Sequence, residues 1–198
     1  MSDFHKTREN LEKRGFSVQT FASGEEAAAY LNRVVDATTV GFGGSATVES
    51  LGLYESLGSH NQVFWHWKQE AGPARAAAAG TEVYISSVNG LAETGEIVNI
   101  DGAGNRVAST LFGHKRVYFV VGRNKLAPDY DGALWRARNI ASPKNAQRLK
   151  RKTPCAVRGD RCYDCASPER ICRGLTVLWG PMMGMETEVL LIDEDLGF

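Results

Sequence analysis

The sequence predicts an α/β fold, a mainly parallel sheet flanked by helices, and two observations carry that expectation. Short strand-like apolar runs alternate with longer helical ones, the pattern left by parallel strands joined through helical crossovers. A length of 198 residues suits one substantial core and is too short for two.

The elements follow in order. A polar helix is expected over 3–14, with Gly15 placed to cap its C-terminus. Residues 16–21 alternate as a short strand, Phe16, Val18 and Thr20 sharing one side. Ser23, with Glu26 three residues on, makes a capping box that opens a helix over 25–35. A buried strand at 38–42 runs into Gly43-Gly44-Ser45 and then a helix over 46–57, stopped by Gly58. A helix at 68–79 ends at Gly80 and leads to a strand at 82–86. Strands at 97–100 and 117–121 and helices at 129–140 and 143–151 come next. Two strands, 175–179 and 188–192, close the chain. Residues 1–153 are therefore expected to form the α/β domain. Residues 154–173 are a cysteine-rich metal-binding segment inserted in it, and 174–198 supply the strands that complete it.

All four cysteines lie in that segment: Cys155, Cys162, Cys165 and Cys172, spaced C-x6-C-x2-C-x6-C. The segment lacks the apolar periodicity of a helix or strand, so something other than a core must organise it. Disulfides need an oxidising compartment. The start of the chain, Met1-Ser2-Asp3-Phe4-His5-Lys6, has no apolar h-region, and a cytoplasmic location is expected. Zinc on four thiolates is the plainer metal reading, although zinc knuckles usually bring two close pairs. Here only Cys162 and Cys165 form such a pair, and the long arms suit a larger object, a 4Fe–4S cluster. Four thiolates leave a charge of about −2 with either occupant. Arg158, Arg161, Arg170 and Arg173 stand ready to offset it.

The formal net charge is zero, yet residues 136–173 carry eleven Lys/Arg against three acids, and 174–198 carry five acids and no base. A basic stretch can bind nucleic acid, but Tyr163 is its one interleaved aromatic, which argues against it. No apolar run approaches the ~20 residues of a membrane span.

Ligands of open parallel sheets gather beyond the carboxyl ends of the strands, and four unusual stretches fall there. Gly43, Gly44, Ser45 and Thr47 make a tight turn into a helix start, suited to an anion or to a plain cap. In 86–95 the single ionisable residue is Glu93, a candidate base or nucleophile, or else a solvated carboxylate. Asp101 can make a turn or orient a reacting group. Asn105 and Arg106 follow it, and Arg106 can clamp a carboxylate or phosphate. Asn124 and Lys125 follow the 117–121 strand and add positive charge. Together they predict one site for a small anionic metabolite. His66, between Trp65 and Trp67, reads as a packed or surface-aromatic histidine rather than a ligand.

In sequence order, residues 40–47, 93–107 and 121–125 with the four cysteines resemble the lactate-utilisation (LUD) domain family over nearly the whole chain. The resemblance implies the fold of the ribose-5-phosphate isomerase, glucosamine-6-phosphate deaminase and CoA-transferase superfamily. It also implies a role in lactate-type organic-acid metabolism beside iron–sulfur redox subunits. A homo-oligomer is a further partner left open. In the CoA-transferase relatives the nucleophile is a Glu, but the resemblance does not fix Glu93 in that position. Asp101-Gly102-Ala103 resembles the isomerase's Asp-Gly-Ala-Asp stretch, but Gly104 replaces the second Asp. The alternatives are a sugar-phosphate or acyl-CoA enzyme using Glu93 or Asp101, and a non-catalytic anion sensor with structural zinc.

Overall fold

A computed structural model describes residues 4–198; Asp3, where the first helix was expected to begin, lies outside them. In chain order the elements begin with α1 (His5–Lys13), β1 (Ser17–Phe21), α2 (Gly24–Val34), β2 (Thr39–Phe42), α3 (Ala46–Ser50) and α4 (Leu53–Leu57). Then come β3 (Gln62–Phe64), α5 (Ala71–Ala78), β4 (Val83–Ser86), β5 (Gly90–Ala92) and β6 (Ile97–Asp101). They continue with α6 (Asn105–Leu111), β7 (Arg116–Gly122), β8 (Leu126–Ala127), α7 (Tyr130–Arg136) and α8 (Ser142–Arg148). The chain closes with α9 (Pro154–Arg158), β9 (Gly174–Leu178) and β10 (Glu186–Ile192).

Six strands form one sheet in the order β1-β10-β7-β4-β2-β3, every neighbouring pair parallel. The central strands are apolar on both faces, as parallel strands covered on both sides must be. On β7, Val117, Phe119 and Val121 face one core with Leu11, Leu91 and Ile97. Tyr118 and Val120 face the other, against Leu31, Val48, Leu53 and Leu57 of the helical layer.

The expected mainly parallel sheet is present, but two of the strands expected from the sequence belong elsewhere. The 97–100 and 175–179 strands leave it for a second sheet, ordered β8-β5-β6-β9. There β6 runs antiparallel to both β5 and β9. The cause is local: β5 and β6 are joined by a short turn rather than a helix, and a direct hairpin can only be antiparallel. Ala92, Val98 and Ala127 on its far face pack against Ala133 and Ala137 of the helix that covers it.

Other elements differ in detail. The helix expected over 46–57 breaks in two because Gly52 takes φ +61, a left-handed conformation that ends one helix and starts another. The helix expected over 68–79 starts at Ala71, because residues 65–69 form a turn in which the Trp65 N–H donates to Gln69 Oε1 (2.9 Å). The two helices at 129–151 are one run through a π-helical turn, Ala137–Ala141. Pro143 cannot continue the α-helical hydrogen bonding there, and the Ser142 hydroxyl donates to the Ala137 carbonyl instead (2.8 Å). The cysteine segment, expected to lack regular structure, holds a short helix. Thr153 caps it, Pro154 begins it and Gly159 stops it at φ +72.

Candidate functional site

The carboxyl ends of β2 and β4, the start of α6, the end of α8 and the cysteine segment enclose one cavity of about 460 Å³. Ser45, Asn105, Arg106 and Lys125 all line it, as do Gly44, Thr47 and Asp101. Gly43, Glu93 and Asn124 do not.

Lys125 follows β7 and is 4% exposed. Its ammonium position contacts Thr47 Oγ1 at 2.7 Å, Ser87 Oγ at 2.9 Å and the Val88 carbonyl at 3.3 Å. None of the three is a carboxylate. Burial, reinforced by the Arg136 and Arg106 guanidinium groups, pulls its pKa down to about 7. Lys125 thus grips protein groups rather than reaching freely into the cavity.

Arg106, expected to clamp an anion, is instead a structural knot. It is 8% exposed and all five of its donors are taken. Nη1 donates to the Ser87 carbonyl (3.2 Å) and to Asn99 Oδ1; Nη2 donates to Asn89 Oδ1 (3.0 Å) and the Ile100 carbonyl (2.7 Å). Nε faces Asp101 Oδ2 at 3.3 Å. Burial lowers the Arg106 pKa and the Asp101 charge opposes that. Asp101 is committed as well, since its other oxygen accepts from the Ala103 and Gly104 amides at 3.1 and 3.0 Å. The turn-forming role of Asp101 therefore holds, and Asp101 is not a free base.

Glu93 lies away from the cavity, half-buried and paired with Lys6 at 2.9 Å, which removes the reason to name it a nucleophile. Asn124 ties down the closing segment, its side-chain oxygen accepting from the Leu196 amide (3.1 Å). Gly43 and Gly44 serve packing. A Cβ on Gly43 would come within 2.6 Å of Ser86 Oγ and 3.0 Å of Arg106 Cγ, and one on Gly44 within 3.0 Å of Trp67 Nε1. Ser45 caps α3, accepting from the Val48 amide (3.2 Å).

Several lining groups were not assigned to the anion site from the sequence. Arg75, Arg148, Arg151, Arg170 and Arg173 join Arg106 and Lys125, so seven basic side chains face two acidic ones, Asp101 and Glu169. Arg75 and Arg151 are exposed, and among the described residues neither side chain makes a hydrogen bond to protein. Arg148 lies 4.4 Å above the Trp67 ring, which stacks on Trp65. His66, read as packed or surface-aromatic, also lines the cavity. Its Nδ1 is buried without a partner, and burial followed by the Arg75 charge lowers its pKa, favouring the neutral ring. The sequence signal for these groups was weak, because they come from separate helices and loops.

The cysteine segment forms one wall of this cavity, through residues 168–171 and Arg173. It docks tightly: a Cβ on Gly102 would meet the Ile171 carbonyl at 2.8 Å, and the Arg173 amide donates to the Asp101 carbonyl (2.9 Å). All four cysteines are free thiols, partly exposed. Among the described residues no three His, Cys, Asp or Glu side chains converge on one ion position. A tetrahedral zinc would need sulfurs about 3.8 Å apart.

The surroundings of the sulfurs nevertheless suit thiolates. Cys162 Sγ accepts from the Asp164 amide (3.4 Å) and faces Arg138 Nη2 at 3.9 Å. Cys172 Sγ faces Arg170 Nη2 at 3.4 Å. Asp164, between Cys162 and Cys165, takes φ +47, an uncommon conformation that turns the chain between the pair. Of the arginines expected to offset charge, Arg170 does lie beside sulfur. Arg158 and Arg161 stack on Tyr163 instead, at 5.0 and 5.4 Å, and Arg173 donates to the Pro168 carbonyl (2.8 Å). The four-thiol donor set, with N–H and guanidinium neighbours at Cys162 and Cys172, is of a kind that can hold a metal centre.

A family model described as the LUD domain matches residues 4–192. Among curated proteins none matches the chain. Six solved chains do. One of them, the crystal structure of a DUF162 family protein from Deinococcus radiodurans, covers 95% of this chain and 94% of its own. It aligns with a TM-score of 0.56 at 14% sequence identity, a likeness of fold.

Proposed function

The chain belongs to the LUD domain family, a family associated with lactate utilisation, and on that premise we propose that it binds a small organic anion in its basic cavity. The observation that carries this reading is the charge balance there, seven basic side chains against two acidic ones. Arg75 and Arg151 hold uncommitted donors at the exposed margin, where a carboxylate can take bidentate hydrogen bonds. The buried pair Arg106 and Asp101 shapes the floor and leaves recognition to the outer arginines. A thermal-shift series with lactate, pyruvate and dicarboxylates, against chloride at equal ionic strength, tests it. At least one carboxylate should raise the melting temperature in proportion to its saturation of the site. A series in which every carboxylate matches chloride would remove the proposal.

The second half of the proposal is a 4Fe–4S cluster held by Cys155, Cys162, Cys165 and Cys172, supplying one-electron redox chemistry beside the anion. The amide and guanidinium groups around Cys162 and Cys172 would share its negative charge. Iron–sulfur subunits are the proposed electron partners. The C-x6-C-x2-C-x6-C spacing, one close pair with two long arms, is what favours a cluster over zinc. Anaerobic reconstitution with iron and sulfide should give about four of each per chain. Stoichiometric zinc with no sulfide would favour the structural alternative.

A further inference from the structure

We infer that Ser87 and Lys125 form a nucleophile–base pair on the cavity floor, able to take an acyl group from an anionic ester or thioester. The inference uses the cavity but not the identity of the anion that fills it. Both residues line it, each 4% exposed, and Ser87 Oγ lies 2.9 Å from Lys125 Nζ.

The hydrogen bonds fix the direction of the proton. Thr47 Oγ1 donates its own hydrogen to the Leu196 carbonyl (3.0 Å), so towards Lys125 it can only accept. The Val88 carbonyl also can only accept. A neutral lysine has two N–H groups and one lone pair. With both N–H groups spent on Thr47 and Val88, the lone pair faces Ser87. Among the described residues Ser87 Oγ has no hydrogen-bond partner except Lys125, whose Nζ donates to it while charged; when the amine is neutral, the Ser87 hydroxyl can donate to it instead. The charged groups facing Lys125 are the guanidinium groups of Arg106 and Arg136. Burial first, and then these charges, pull the Lys125 pKa down to about 7, so that a large share of the amine is in its basic form near neutral pH, as a general base requires.

The step balances without another reagent. Ser87 Oγ bonds to the carbonyl carbon while its proton passes to Lys125 Nζ. The bond from that carbon to the leaving sulfur or oxygen breaks, and the leaving group takes the proton from Lys125. Water then cleaves the acyl-serine by the same proton path, releasing the acid and restoring Ser87. The outer arginines suit an acyl donor that carries carboxylate or phosphate groups.

A fluorophosphonate probe tests the pair, because Ser87 Oγ would displace fluoride from phosphorus by the same proton transfer. Peptide mapping should find the adduct on Ser87, forming at a rate that rises with pH to a plateau with its midpoint near 7. Ser87→Ala should abolish the adduct, and Lys125→Met should slow it about 100-fold or more. The pH profile is read on the native protein and does not depend on either variant folding. No adduct on Ser87 at pH 9, or a rate flat with pH, would overturn the inference. So would a folded Lys125→Met variant that labels at the native rate.

Discussion

Arg106 and Lys125 both follow strand ends, and the sequence marks them as cations at the site. Their partners were hidden, because Ser87, Asn89 and Asn99 come from a hairpin whose three-residue strand β5 carries too little periodicity to read. An arginine with every donor used behaves differently from one awaiting a ligand. Arg106→Met should therefore cost about 3–5 kcal/mol of stability, since it removes the cation paired with Asp101 and the donor to four carbonyl or amide acceptors in a buried setting. Chemical denaturation checks this, and a loss below about 1 kcal/mol would mean that the knot is dispensable.

Lys125 makes a pH prediction of definite sign. Its pKa is pulled down to about 7 in the fold, against about 10.4 for an unfolded lysine. Between those values the unfolded chain binds a proton that the folded chain does not, so stability rises with pH across the window. Below about 7 both states are protonated and the full cost of burying the charge remains. The stability of the native protein relative to Lys125→Met should therefore increase from pH 7 to pH 10. A difference that stays flat over that range contradicts the lowered pKa.

Among the elements, long apolar runs were legible and short ones were not. The central strands of the large sheet announce themselves by apolar residues on both faces, as in Val117 to Val121. By contrast β3, β5 and β8 have three, three and two residues, and only pairing with a neighbour defines them. The capping signs of α9 were present in Thr153, Pro154 and Gly159, but the apolar pattern that normally accompanies them was absent. The contact of Gly102 with Ile171 joins the cysteine segment to the β6 turn. Gly102→Ala should force the two apart and speed hydrogen exchange at residues 168–173, with the large sheet unchanged. Unaltered exchange there would show that the segment is held elsewhere.

Across the whole molecule, part of the basic stretch (Arg148, Arg151, Arg170 and Arg173) joins Arg75, Arg106 and Lys125 at a basic cavity with the cysteine segment as one wall. The basic stretch was legible as composition, but not as a cavity, because Arg75 and Trp67 reach it from another part of the chain. No helix among the described residues is long and apolar enough to cross a membrane. Ser45, Asn105, Arg106 and Lys125 do meet at one cavity, yet the last two are anchored to protein groups. The donors best placed for an anion are on Arg75 and Arg151. The most direct measurement is calorimetric titration of the best carboxylate into native protein and the Arg75→Ala/Arg151→Ala double variant, at low and high salt. The native protein should bind, more weakly at high salt, and the double variant about 10-fold to 100-fold more weakly at low salt. Equal affinity in the two proteins, or no heat from any carboxylate, would contradict the anion site.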